Sequence, residues 1–352
     1  MNAQGKVGWG VIGACGIAKR RTIPEGILTA ANAQLVAVTD IDKTGCADLA
    51  AKHGARHCRN MKELLKMPDV QAVYIATPNN LHRKQVFAAA EAGKHILCEK
   101  PLATKTGDIR RMIDKCRESG VLLGVGFMMR YNPYHLKIRE MIQKGAFGTL
   151  VMARGQMTCW YPPIEKAWRQ DPKLGGGGAL VDMGSHVLDV LETFFGKTKS
   201  VFCRVFNRVH NYQVEDTALL VVEFESGVGA TMDISFAVPD EASEFVLEVY
   251  GSNGAVKGKY SLAQGPGGEM RLALLQSGGG YDAQQNVQQK GGYQPFEVEP
   301  RNTYQSEIEA FSAAILTGAP APVSGEDGLW NHVVMEAAYK SARTGKAIQP
   351  RL

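Results

Sequence analysis

Long apolar runs, blocks of one charge sign and paired cysteines are all missing from this sequence of 352 residues. No hydrophobic stretch approaches the ~20 residues that cross a bilayer, which excludes helical membrane spans. Lys and Arg number 40 against 35 Asp and Glu, a surplus of five with no basic block, too dilute for a nucleic-acid or anionic-membrane partner. The seven cysteines are odd in number, form no CxxC pair and stop at Cys203, which argues against a disulfide framework or a zinc site and for a reducing cytoplasm; no metal is expected. Val7 to Ala18 is apolar, but its charges (Lys19, Arg20, Arg21) follow it and glycines interrupt it, unlike a signal peptide, so Met1 is expected to begin the mature chain. There is no internal repeat.

What is present fits a globular protein with sizeable cores: 45% hydrophobic and 21% charged residues, 39 glycines and 15 prolines. The length is about twice that of a usual domain, so two domains are expected. Up to residue 126 short apolar strands (Val7 to Ile12, Gln34 to Asp40, Ala72 to Ala76, His95 to Cys98, Val121 to Val125) alternate with helical segments near Ile17 to Ala30, Thr44 to His53, Leu81 to Ala92 and Thr104 to Ser119. This βαβ rhythm predicts a doubly wound parallel sheet whose ligand crevice lies beyond the carboxyl ends of its strands.

Beyond a helix over Tyr134 to Lys144, longer alternating segments predict a large, mostly antiparallel sheet: Thr149 to Cys159, Ser200 to Asn207, Thr217 to Glu225, Gly229 to Phe236 and Phe245 to Gly251. Helices over Ala179 to Phe195, Tyr304 to Thr317 and Glu326 to Thr344 are expected to cover one of its faces, leaving the other for solvent or a partner subunit. Residues 265–292, with eight glycines and Gln-rich stretches, read as a long loop or excursion.

The first strand runs into a glycine turn, Gly10-Val-Ile-Gly13-Ala-Cys15-Gly16-Ile17-Ala18, at the start of a helix. Such a turn lets backbone N–H groups approach a pyrophosphate, or is a plain strand-to-helix connection. Asp40, 27 residues after Gly13, stands where a carboxylate binds adenosine ribose hydroxyls, or caps the next helix. Asp40 and Asp42 together favour NAD over NADP, although Lys43, Arg20 and Arg21 leave NADP open.

Three segments follow later strands or open a helix. Thr77-Pro78-Asn79-Asn80-Leu81-His82 can cap a helix or line the crevice, and Glu99-Lys100-Pro101 places a lysine either in the crevice or in solvent. Gly175 to Gly178 precede a segment with Asp182, Ser185, His186 and Asp189 at i, i+3, i+4 and i+7, one helix face. That face is the wet side of an amphipathic helix or, since Leu180, Val181, Val187, Leu188, Val190 and Leu191 surround it, the wall of a polar cleft. A histidine beside a carboxylate is suited to general acid–base work near neutral pH.

Taken together, the turn at Gly13, Asp40, Thr77-Pro78-Asn79 with His82, Glu99-Lys100-Pro101, Gly126 to Pro133, Gly175 to His186, and the C-terminal Tyr304, Glu307, Phe311 and Glu326-Asp327-Gly328 resemble the glucose-fructose oxidoreductase, inositol dehydrogenase and MocA family over nearly the whole chain. The resemblance implies an α/β protein with an N-terminal Rossmann domain (1–126) and a C-terminal α/β domain (127–352) on a large open sheet. The C-terminal helices are free to pack back on the first domain, and the sheet is available for homodimer or homotetramer contacts. It implies nicotinamide-dependent oxidation or reduction of a secondary alcohol on a sugar, cyclitol or glycoside. Lys100, Asp182 and His186 match its catalytic residues: His186 takes the hydroxyl proton, Lys100 holds the same oxygen and Asp182 orients the pair. Cofactor contacts are expected from Gly13, Cys15, Gly16, Ile17, Asp40, Thr77, Pro78, Asn79, His82, Glu99 and Lys100. Cys15 departs from the family's usual second glycine, with Gly16 next to it to relieve crowding. Substrate contacts are expected from Arg130, Tyr131, Arg154, Tyr161, Trp168 and Arg169 beside Asp182 and His186, aromatic faces with polar tips that suit a sugar or glycoside. Two other readings stay open: a glycosidase that keeps NAD bound and oxidises a sugar transiently, and a non-catalytic sugar-sensing regulator.

Overall fold

The computed structural model describes residues 5–265, 267–275 and 292–352. Six parallel strands form the first sheet: β1 (Val7–Ile12), β2 (Ala33–Thr39), β3 (Arg56–His57), β4 (Ala72–Ile75), β5 (His95–Cys98) and β6 (Leu123–Val125), in the order β3-β2-β1-β4-β5-β6. Every residue of β1 and β4 is buried, as befits parallel strands covered on both faces. The order reverses between β1 and β4, and a crevice opens beyond their carboxyl ends. β3 and the short helix Met61–Leu65 are too brief to show a periodicity in sequence.

Eight strands form the second sheet: β7 (Leu150–Thr158), β8 (Thr198–Phe206), β9 (Thr217–Phe224), β10 (Gly229–Ser235), β11 (Leu247–Gly251), β12 (Gly254–Lys259), β13 (Glu269–Leu274) and β14 (Gln294–Phe296). Their order is β14-β13-β12-β11-β7-β10-β9-β8, antiparallel except for the β7–β10 pair. The excursion expected over 265–292 is therefore part sheet: Glu269–Leu274 pairs with β12 and β14, while 266 and 276–291 lie outside the described residues.

Helix Ser185–Phe195 and the capped helix Gly325–Thr344 pack on one face of this sheet. Helix Thr303–Thr317 does not join them. Ile308 and Phe311 belong to the core of the first sheet, where Phe311 meets Trp9 at 5.8 Å between ring centroids and the indole N–H of Trp9 donates to Ser312 Oγ (3.1 Å). The expected third cover for the second sheet is thus a cover for the first. Among the described residues no helix is long and apolar enough to cross a membrane.

Candidate active site

At the end of β1 the chain turns at Gly13, whose φ of 85° lies in the left-handed region; a Cβ there would stand 2.7 Å from the Ala76 carbonyl oxygen. At Gly16 the opposite holds. Outside its own stretch of chain no heavy atom lies within 4 Å of where its Cβ would be, so the backbone presents an open cradle at the start of the helical segment Ala14–Ile27. The side chain of Cys15 turns from it, with Sγ 3.8 Å from the Asp42 carbonyl oxygen, while its N–H donates to Asp40 Oδ2 at 2.8 Å. Asp40 is thereby fixed beside the turn, its other oxygen accepting the Asp42 N–H (2.9 Å). Asp42, not Asp40, caps the following helix through Gly45 N–H. An open glycine cradle with a carboxylate at the end of β2 fits a dinucleotide.

The cradle continues into a cavity of about 590 Å³. Gly16, Ile17, Thr77, Asn79, Glu99 and Gly126 line it from the first sheet's side; Tyr161, Trp168, Arg169, Asp182 and His186 line it from the other. Lys100 crosses between: its ammonium donates to Asp182 Oδ1 at 2.9 Å and also reaches the Asp182 carbonyl oxygen. Arg169 Nε adds a longer contact to Oδ1 (3.4 Å) while its guanidinium stacks 4.2 Å over Trp168. Burial opposes a charge on Asp182, yet Lys100 and Arg169 outweigh it and hold the carboxyl well below its usual range. Burial, then the nearby Lys100 charge, pushes His186 well below the ordinary imidazole value, so the ring is neutral near pH 7 and able to accept a proton. The Lys100–Pro101 peptide is cis. Glu99, raised by burial, accepts the Tyr74 hydroxyl.

Other expected contacts stand elsewhere. His82 is fully buried behind the cavity wall, its ring nitrogens 2.8 Å from the Thr77 and 3.0 Å from the Pro101 carbonyl oxygens, and its N–H donates to one of these wall carbonyls instead of meeting a cofactor. Pro78 precedes the helix Asn79–Glu91, and Asn79 donates across to the Gly175 carbonyl (2.8 Å). Arg130 is not a substrate contact: it grips Asp189 with Nε and Nη2 (2.7–3.0 Å) and reaches Asp327 at 3.3 Å. Tyr131 packs against the first sheet's core. Strand alternation sends Arg154 to the face of β7 opposite Met157, where it pairs with Asp233 at 2.7 Å. The glycine run approaches protein, not ligand: a Cβ at Gly178 would meet the Glu215 carbonyl at 2.1 Å, and one at Gly177 the Tyr339 hydroxyl at 2.1 Å.

Sequence reasoning passed over Met128, Met129, Met157, Phe236, Phe245 and Gln264 in the cavity wall. Met157 and Cys159 were findable, since they alternate with the expected Tyr161 on and after β7. Met128 and Met129 stand on the helical turn Met128–Tyr131 that follows β6, and Phe236, Phe245 and Gln264 come from segments whose meeting depends on the order β11-β7-β10.

An open sheet with a glycine cradle at its switch point, facing a lysine–aspartate–histidine group, defines a dinucleotide-dependent oxidoreductase. Residues 7–127 match the model of the oxidoreductase family with an NAD-binding Rossmann fold, and residues 135–257 that of the GFO/IDH/MocA C-terminal domain. The 1,5-anhydro-D-fructose reductase of Ensifer adhaerens is 32% identical, with 97% of this chain and 98% of that protein aligned. The aldose-aldose oxidoreductase from Caulobacter crescentus, solved with glycerol, superposes with a TM-score of 0.87 at 26% identity, over 98% of this chain and 99% of that one. A levoglucosan dehydrogenase solved with NADH and levoglucosan shares the fold (TM-score 0.85, 22% identity, 99% and 100% covered). The chain belongs to the GFO/IDH/MocA family of oxidoreductases, and its first sheet is the family's NAD-binding unit.

Proposed function

We propose that this protein is an NAD-dependent dehydrogenase or reductase acting on a secondary alcohol of a sugar, cyclitol or glycoside. One observation carries the reading: Lys100 from the first sheet's side and Asp182 and His186 from the second meet in one cavity that begins at the Gly16 cradle. The nicotinamide, when bound, supplies the hydride acceptor or donor. Neutral His186 takes the hydroxyl proton as the carbonyl forms, or returns it in the reverse direction. Lys100 donates to the same oxygen and stabilises the negative charge that grows on it, while Asp182 fixes the ammonium at 2.9 Å. Asp40 takes the ribose hydroxyls, which favours NAD over NADP.

We place the division between the two domains near residue 126 and the enzyme in the cytoplasm. The open face of the second sheet shows Met152, Phe202, Leu219 and Val221, an apolar surface suited to a second copy of the chain, which light scattering would reveal as a dimer or tetramer. The deciding experiment is a screen of sugars, cyclitols and glycosides with NAD and NADP, read by cofactor absorbance and product mass. Reduced cofactor with a carbonyl product supports the reading. Aglycone release without net cofactor reduction replaces it with the glycosidase, and no turnover of any compound replaces it with the regulator.

A further inference from the structure

Three residues of the cavity wall come from one loop. Tyr161 opens it, Trp168 and Arg169 close it, and the chain between them reaches into solvent, with Pro163, Ile164, Glu165 and Lys166 all exposed. Its two stems are fixed from outside. At the first, the Tyr161 N–H donates to the Phe236 carbonyl oxygen (2.9 Å) and the Tyr161 carbonyl accepts the Tyr212 hydroxyl (3.2 Å). At the second, Asp171 caps the short helix Pro172–Gly175, and the Gly175 carbonyl accepts the Asn79 side-chain amide.

Between the stems the chain holds onto itself. Two turn bonds shape its outer part, from the Ala167 N–H to the Ile164 carbonyl (3.1 Å) and from the Gln170 N–H to the Ala167 carbonyl (2.9 Å). Across the neck, the side chain of Gln170 makes both hydrogen bonds found among the described residues: its Oε1 accepts the Ile164 N–H (3.0 Å) and its Nε2 donates to the Pro162 carbonyl (2.6 Å). Pro162 and Pro163 have no N–H to offer in its place. The ion pair of Lys166 with Glu165 joins two exposed neighbours and adds little. Lys166 is also held at a φ of 59°, in the left-handed region, a conformation that a loop without its clasp would give up. Gln170 directly follows Arg169, whose own hold on Asp182 is a long one at 3.4 Å. That contact and the stack on Trp168 are too weak to order the whole loop.

We propose that Gln170 is a positioning residue of the active site: its amide closes residues 162–170 on themselves and so presents Trp168 and Arg169 to the substrate. This rests on the dehydrogenase reading above. Gln170→Met fills the same space without either hydrogen bond, and Gln170→Ala is the second variant should the first fold poorly. For a compound that the screen finds oxidised, the variant is expected to raise KM about tenfold, while kcat, NADH affinity and melting temperature stay near those of the wild type. Lys100 and His186 lie outside the loop, so the chemical step is spared. A wild-type KM, or a loss that falls on kcat at least as much as on KM, overturns the proposal. If no compound is oxidised, the dehydrogenase reading is what fails. Limited trypsin digestion then decides this one, since Arg169 held in the cavity wall is shielded from the protease: cutting after Arg169, identified by mass, at least about tenfold faster in the variant supports it, and cutting at the wild-type rate overturns it.

Discussion

One helical stretch carries three carboxylates from the cavity into the core, and each meets a different electrostatic setting. Asp182, at the cavity end, faces two cations, Lys100 and Arg169, which overcome its burial and keep it ionised. Asp189, about two turns on, is 1% exposed and has one bidentate guanidinium; burial pushes its carboxyl up and Arg130 pulls it back. Glu192, a turn further, has no cation. Its Oε1 accepts the Thr198 N–H and hydroxyl and the Trp330 indole N–H, and burial pushes it up to about 7. The cavity end thus holds charge ready for a reacting oxygen, the middle holds a structural ion pair, and the far end holds an acid near its midpoint. The same carboxyl group does different work according to the cations that reach it.

Breaking the middle setting should have the largest effect. Arg130→Ala leaves Asp189 buried and unpaired, for an expected loss of about 3–5 kcal/mol in stability, seen as a lower midpoint in urea unfolding. An Arg130→Met, Asp189→Leu pair should recover most of that loss; no recovery would mean that the ion pair is not what links these elements. At the cavity end, Lys100→Ala and His186→Ala should each cut kcat/KM at least ~100-fold, and His186→Ala should do so with NADH affinity and melting temperature nearly unchanged. Wild-type turnover in both would remove the acid–base assignment.

At the far end the comparison turns on pH. The folded state keeps the Glu192 proton up to about pH 7, whereas an unfolded glutamate releases it near 4.5, so the stability linked to this proton is complete in acid and lost as pH rises through 7. Glu192→Gln should therefore gain on the wild type by about 2 kcal/mol between pH 5 and 8; parallel stability curves would show that Glu192 is already ionised. The smallest effect is expected furthest from the helix: Asp40→Ala should weaken NAD about fivefold to tenfold and narrow the gap to NADP, and an unchanged NAD titration would withdraw its ribose role.

Much of this was legible in the sequence because parallel strands buried on both faces leave short unbroken apolar runs. β1 and β5 stand at their expected residues, and β2 and β4 within one residue of theirs. The stripe of Asp182, Ser185, His186 and Asp189 was also visible, but α-helical spacing assigned it one environment. Leu180–Gly184 is wound with wider, π-type turns, and an arginine 59 residues upstream claims Asp189 for the core. Arg130 and Arg154 looked available because their partners, Asp189 and Asp233, are far off in sequence. Strands β12 to β14 escaped notice because β12 carries two glycines, β13 lies within the glycine-rich stretch and β14 has only three residues, and the phenyl rings of the cavity wall meet only through strand order.

The crossing of Thr303–Thr317 onto the first sheet also sets a timetable. Trp9 leaves the ribosome some 300 positions ahead of its partners Phe311 and Ser312, a separation of 303 for the hydrogen bond. At ~5–20 residues per second the nascent first sheet waits for roughly 15–60 s with that indole uncovered. The first sheet therefore keeps apolar surface bare through most of synthesis, until Thr303–Thr317 arrives to cover it.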